Sequence, residues 1–168
     1  MAAPLRIAIF PGSFDPVTNG HLDLIERSSR LFDRVIVAVL RNTSKTPFFS
    51  VEDRLAMLRE VLAGRPGVEV DAFQGLVVDY ARARQAIAIV RGVRGGADLD
   101  YERPMALTNR HLNSDVDTVL LLPSAAYGHV SSTLVREIAA LGGPVRGLVP
   151  PAVESWIAQR PRGPKPEA

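Results

Sequence analysis

Residues 5–21 read LRIAIFPGSFDPVTNGH, and this stretch decides the fold. Leu5–Phe10 is a short, nearly continuous apolar run, the pattern of a strand covered on both faces. Residues 11–21 carry two glycines, two prolines, Asp15 and Asn19, the composition of a turn. From Gly20 to Phe32 the apolar residues Leu22, Ile25 and Phe32 recur on one face of a helix. A buried strand therefore feeds a helix through a loop of unusual chemistry.

The same alternation continues outward. Arg34–Leu40 (RVIVAVL) reads as a strand, and Ser50–Leu62 as a helix with Ser50 as N-cap and Asp53 three residues on. Val68–Phe73 is a strand, Leu76–Arg84 a helix and Ile87–Arg91 a short buried strand. Asp98–Leu112 reads as a helix in which Pro104 should mark the first turn or a kink. Thr118–Leu122 is a strand, Ser132–Leu141 a helix stopped by Gly142 and Gly143, and Val153–Gln159 a last short helix. Five strands separated by helices predict an α/β fold, doubly wound, with a five-stranded parallel sheet and helices on both faces. One domain is expected over residues 1–159, with a disordered Pro-rich tail over 160–168. In such sheets ligands bind beyond the carboxyl ends of the strands, so the loops after the strands should carry the chemistry.

Composition narrows the classes. The chain has 168 residues, 46% of them hydrophobic, enough for a core. It has no cysteine, which excludes disulfides, thiolate metal sites and cysteine nucleophiles. No apolar run approaches the ~20 residues that span a bilayer, and the N-terminus lacks the pattern of a secretory signal, so no membrane role and a cytoplasmic location are expected. The net charge of +2 comes from scattered basic residues, which gives no reason to expect a nucleic-acid partner. Lys45 and Lys165 are the two lysines against 18 arginines, a ratio that a coding bias toward arginine explains; it also draws attention to Lys45 as a place where a compact ammonium would be wanted.

Three loops stand out. In the first, His21 falls in the opening turn of a helix, where partial positive charge disfavours protonation of an idle histidine and favours phosphate. Ser13 adds a hydroxyl there. The loop is neither a Walker A sequence nor GxGxxG. In the second, residues 130–137 read VSSTLVRE; an N-cap needs one hydroxyl, and Ser131, Ser132 and Thr133 offer three for phosphate oxygens. In the third, Arg91 and Arg94 follow the fourth strand, where ligands sit.

Residues 12–21 resemble the G-[ST]-F-D-P…[HT]-x-G-H signature of the nucleotidyltransferase superfamily, with Thr18 in place of the first histidine. Residues 130–136 resemble its second signature, I-S-S-[ST]-x-[VI]-[RK]. Arg91, Gly92, Arg94, Asp98, Tyr101, Glu102, Met105 and Asn109 resemble a block typical of phosphopantetheine adenylyltransferases, as does Thr-Asn-Gly-His itself. The likeness covers residues 5–158. Nicotinate or nicotinamide mononucleotide adenylyltransferases tend to keep a histidine at the position of Thr18 and lack the Arg91–Glu102 block.

The resemblance implies a Rossmann-like nucleotidyltransferase fold and transfer of the adenylyl group of ATP to 4′-phosphopantetheine, with Mg²⁺ carried mainly by the ATP phosphates and no dedicated protein ligands. It implies catalytic roles for His21, Ser13, Lys45 and Arg91. ATP would meet Ser13, Phe14, His21, Gly92, Val93, Arg94, Tyr101 and Glu102, and then the run Tyr127, Gly128, His129, Val130, Ser131, Ser132 and Thr133, partly through backbone, with the His129 side chain incidental. Phosphopantetheine would meet Ser13, Lys45, Leu76, Val77 and Arg91. A homo-hexamer and feedback inhibition by coenzyme A are implied too. Two rival readings are a related enzyme with another phosphate acceptor, such as nicotinamide mononucleotide, and a nucleotide sensor without catalysis.

Overall fold

The computed structural model describes residues 4–41 and 47–160. Five parallel strands, β1 (Ile7–Gly12), β2 (Arg34–Leu40), β3 (Val68–Phe73), β4 (Ala88–Gly92) and β5 (Asp117–Leu121), form one sheet in the order β3-β2-β1-β4-β5. The helices are α1 (Asn19–Leu31), α2 (Val51–Val61), α3 (Val77–Ala83), α4 (Gly96–Leu112), α5 (Ser132–Ala140) and α6 (Pro151–Gln159). A 3-10 turn, Ala125–Tyr127, lies between β5 and α5.

The strands are apolar because both faces of the sheet are covered. Successive side chains of a strand point to opposite faces, and two cores result. Ala8, Phe10, Val35, Val37, Val39 and Val90 pack with Ile25, Leu58, Val135 and Val153. Ile7, Ile9, Ile36, Ala38 and Ile89 pack with Val78 and Ala81 of α3. The doubly wound α/β fold predicted from sequence is therefore the fold found.

Strand order reverses between β1 and β4. After β1 the chain winds outward through β2 and β3; it then returns to place β4 on the other side of β1. This is the switch point at which α/β sheets hold ligands. Six positions of β1 pair with β2, but only Ala8 and Ile9 pair with β4. The carboxyl ends of β1 and β4 thus stand apart, and the crevice opens between them.

Two expectations about elements change. Pro104 lies in the interior of α4, since the helix already begins at Gly96. The two turns before the proline are held by ion pairs from Asp98 to Arg94 and from Glu102 to Arg91. The last helix begins at Pro151, whose fixed φ and absent N–H suit a first helical position. The expected tail lies outside the described residues except for Arg160, whose guanidinium sits 3.6 Å over the Phe48 ring.

Candidate active site

The floor of the crevice is built from Gly12–Pro16. A Cβ on Gly12 would stand 2.9 Å from the Phe14 ring, so only glycine fits there. Phe14 takes a left-handed backbone (φ 47°), and its buried ring packs edge-on against His21 at 5.1 Å. The loop is tied down from three directions. The Asp15 carboxylate accepts from the amides of Phe48 and Phe49 at 2.7 and 2.8 Å. Buried Arg54 donates from Nη1 to Ser13 O (2.8 Å) and from Nε to Ser50 O (3.2 Å). Arg136 of α5 donates to Asp15 O (2.6 Å). Across the crevice, a Cβ on Gly92 would fall 2.5 Å from Leu24 Cδ1, which lets α1 lie close against the end of β4.

Thr18 caps α1 and orients His21. The Thr18 hydroxyl accepts from His21 N (3.3 Å), while Thr18 N–H donates to His21 Nδ1 (3.1 Å). With Nδ1 as acceptor, the ring proton of the neutral imidazole stays on Nε2, the nitrogen left for a ligand. Burial of the ring, aided by the charges of Arg94 and Arg91, pulls the His21 pKa down to about 4. At neutral pH the side chain is a neutral hydrogen-bond donor.

Arg91, near the end of β4, and Arg94, just after it, are each gripped by a carboxylate of α4. Arg91 meets Glu102 through Nε (2.9 Å) and Nη2 (2.5 Å) and donates from Nη1 to Pro11 O (2.9 Å). Arg94 meets Asp98 through Nε (2.8 Å) and Nη2 (3.0 Å). Beyond β5, Asp23 of α1 accepts from Ser124 N (2.9 Å) and Ser124 Oγ (2.5 Å), which docks the turn leading to Tyr127.

These elements enclose a cavity of about 630 Å³. Of the residues singled out from sequence, Ser13, Phe14, His21, Val77, Arg91, Gly92, Arg94, Tyr101, Glu102, Tyr127, Val130, Ser131 and Ser132 line it. Val93 is buried, Leu76 and His129 are exposed, and these three, with Gly128 and Thr133, lie outside the cavity wall. Lys45 lies outside the described residues.

The three adjacent hydroxyls divide their work. Ser131 caps α5 by accepting from Leu134 N (3.1 Å), which leaves its own proton to give. Ser132 donates to Pro16 O (2.7 Å), and Thr133 accepts from Arg136 (3.1 Å). Sequence reasoning also passed over residues that act at a distance: Asp15, Arg54 and Arg136. Asp15 and Arg136 fall within the two signatures, yet an aspartate beside a proline looks like turn chemistry and an arginine in a helix looks like surface; for Arg54 nothing local gives a sign. Asp23, four residues before Arg27 on α1, gave no signal either.

A cytidylyltransferase-like family model matches residues 9–138. The chain is 52% identical over 160 residues to the phosphopantetheine adenylyltransferase of Alkalilimnicola ehrlichii, covering 94% of this chain and 92% of that one. It is 51% identical over 156 residues to that of Carboxydothermus hydrogenoformans, covering 93% and 96%. It is 48% identical over 154 residues to that of Geotalea daltonii, covering 92% and 96%. The chain belongs to the phosphopantetheine adenylyltransferases. Among its described residues, no helix is long and apolar enough to cross a membrane. For a phosphopantetheine adenylyltransferase the cavity has suitable chemistry: a neutral imidazole donor, two guanidiniums and a capped helix N-terminus converge where a phosphate chain can lie.

Proposed function

We infer that the chain transfers the adenylyl group of ATP to 4′-phosphopantetheine, releasing pyrophosphate and dephospho-coenzyme A. The observation that carries this reading is the match along nearly the whole chain to phosphopantetheine adenylyltransferases, and a crevice lined by Ser13, His21, Arg91, Arg94 and Ser131 supports it.

An oxygen of the acceptor phosphate attacks the α-phosphorus of ATP in line. The bond from Pα to the bridging oxygen breaks, and the electron pair leaves with pyrophosphate. Phosphate is already a nucleophile at neutral pH, so the protein's work is positioning and charge stabilisation. His21 Nε2–H donates to the α-phosphate as charge builds there, with Ser13 beside it between the two substrates. Arg91 and Lys45 hold the acceptor phosphate. Arg94 and Ser131 hold the phosphates that become pyrophosphate. Tyr101, at the rim, faces the nucleotide, and the chain around Val77 receives the pantetheine arm. The carboxylates of Asp98 and Glu102 in the cavity wall are taken up by arginines. That donor set suits a magnesium ion that arrives as Mg·ATP and keeps phosphate and water ligands.

A homo-hexamer and inhibition by coenzyme A are further parts of this proposal, as is a cytoplasmic location. Coenzyme A carries both a pantetheine arm and an adenosine phosphate, so one molecule can occupy both halves of the cavity.

The test is pyrophosphate release from Mg·ATP with 4′-phosphopantetheine, run beside nicotinamide mononucleotide. Release with phosphopantetheine alone is expected. Release only with the mononucleotide would keep the chemistry and overturn the acceptor. Silence with both, in protein that binds ATP, would point to a sensor.

A further inference from the structure

Arg94 follows β4 on a short connection that continues into Gly95 and Gly96, residues with no side chain to hold it in place. A long side chain on such a segment loses much rotamer freedom when it grips a ligand. Asp98 removes that freedom beforehand. Its Oδ2 accepts from Arg94 N (2.9 Å) and Nε (2.8 Å), and its Oδ1 accepts from Nη2 (3.0 Å). One carboxylate thus fixes the backbone and the guanidinium together. It uses the side edge of the guanidinium. The end fork, Nη1 with the outer hydrogen of Nη2, meets only Val130 O at 3.4 Å among the described residues, beside Ser131 at the start of α5.

Glu102, four residues on, grips Arg91 by the same edge. The first two turns of α4 therefore present two carboxylates on one face, each orienting one arginine of the crevice. Arg94 and His21 line the same cavity, with Ser131 at the start of α5.

We propose that Asp98 is a positioning residue for the nucleotide phosphates: it holds Arg94 with its end fork turned to the β- and γ-phosphates of ATP before ATP arrives. This rests on the reading of Arg94 as a phosphate contact. Asp98 itself touches no substrate. Its negative charge opposes the triphosphate, but the side-edge pairing spends that charge on the guanidinium.

The experiment is a double-mutant cycle read by calorimetric binding of Mg·ATP to the full chain, with the KM for phosphopantetheine measured alongside. Asp98→Asn keeps the shape and loses the charge. It should weaken Mg·ATP by about tenfold, the cost of ordering one long side chain on binding, and leave the KM for phosphopantetheine unchanged. Asp98→Glu should restore part of the loss. In an Arg94→Ala background, Asp98→Asn should have no further effect. Binding that is unchanged or tighter in Asp98→Asn, or a loss that persists without Arg94, overturns the proposal. If Arg94→Ala alone leaves Mg·ATP binding unchanged, the phosphate role of Arg94 falls and the proposal with it. Weakening by Arg94→Ala but not by Asp98→Asn removes the proposal and leaves that role standing.

Discussion

His21 is a donor by virtue of where its proton sits. Thr18 N–H occupies Nδ1, burial discourages a second proton, and Nε2–H is left for a ligand in the cavity that His21 lines. An exposed imidazole takes its proton near pH 6.5, but the folded His21 should titrate near 4. A histidine NMR titration of the ligand-free protein checks this; an inflection near 6.5 would refute the neutral donor. The same shift bears on stability. As pH falls from 6.5 toward 4, the unfolded chain takes up this proton first, so the stability that depends on a neutral His21 is lost through that window and is constant above it. His21→Ala should lower kcat by ~10²–10³ with little change in ATP affinity, as expected when one donor to a developing charge is removed. An unchanged kcat in single-turnover measurements would end that role. This residue was legible in sequence because its signal is local: a histidine in the first turn of a helix, after a loop rich in glycine and proline. Thr18 was read as a family variant, and its grip on Nδ1 needed coordinates.

At the scale of elements, the first loop is a strap stretched between distant parts of the chain. Asp15 binds amides 33 and 34 residues away, and Arg54 reaches back 41 residues to Ser13. Asp15→Asn replaces one acceptor oxygen with a donor that must face a backbone N–H. A buried mismatch of this kind costs about 1–3 kcal/mol, and urea denaturation should show it together with slower turnover. A variant as stable as the parent would mean that the Phe48–Phe49 segment is held by other contacts. Alternating apolar strands and periodic helices made the elements themselves readable, because burial on both faces leaves a continuous apolar run. The start of α4 was not. Its first turn is held by ion pairs to residues outside the helix, so propensity and the proline argued for a later beginning.

Across the whole molecule, α4 and β5 differ from the rest. Leu99, Leu107 and Leu112 on α4 are 43%, 61% and 47% exposed, and Leu122, just past β5, is 66% exposed. Within α4 only Glu102 and Asn109 are buried. These side chains are spread around α4 and the end of β5, and their burial between copies would accord with the proposed homo-hexamer. Sedimentation velocity should find an assembly for the parent and a smaller species for Leu107→Glu. A parent that sediments as a single chain would refute the assembly.

The sheet itself has a gap at its centre. Past Ile9 the ladder between β1 and β4 ends, and the guanidinium of Arg91 reaches across to Pro11 O in place of further rungs. A side chain that completes the backbone pairing of one strand also carries the charge proposed to hold the acceptor phosphate. On that proposal, filling the crevice mends a seam: bound phosphate and the Arg91 bridge would together join two halves of the domain that the main chain leaves only lightly stitched. The protein should be a stiffer object with its substrates than without them.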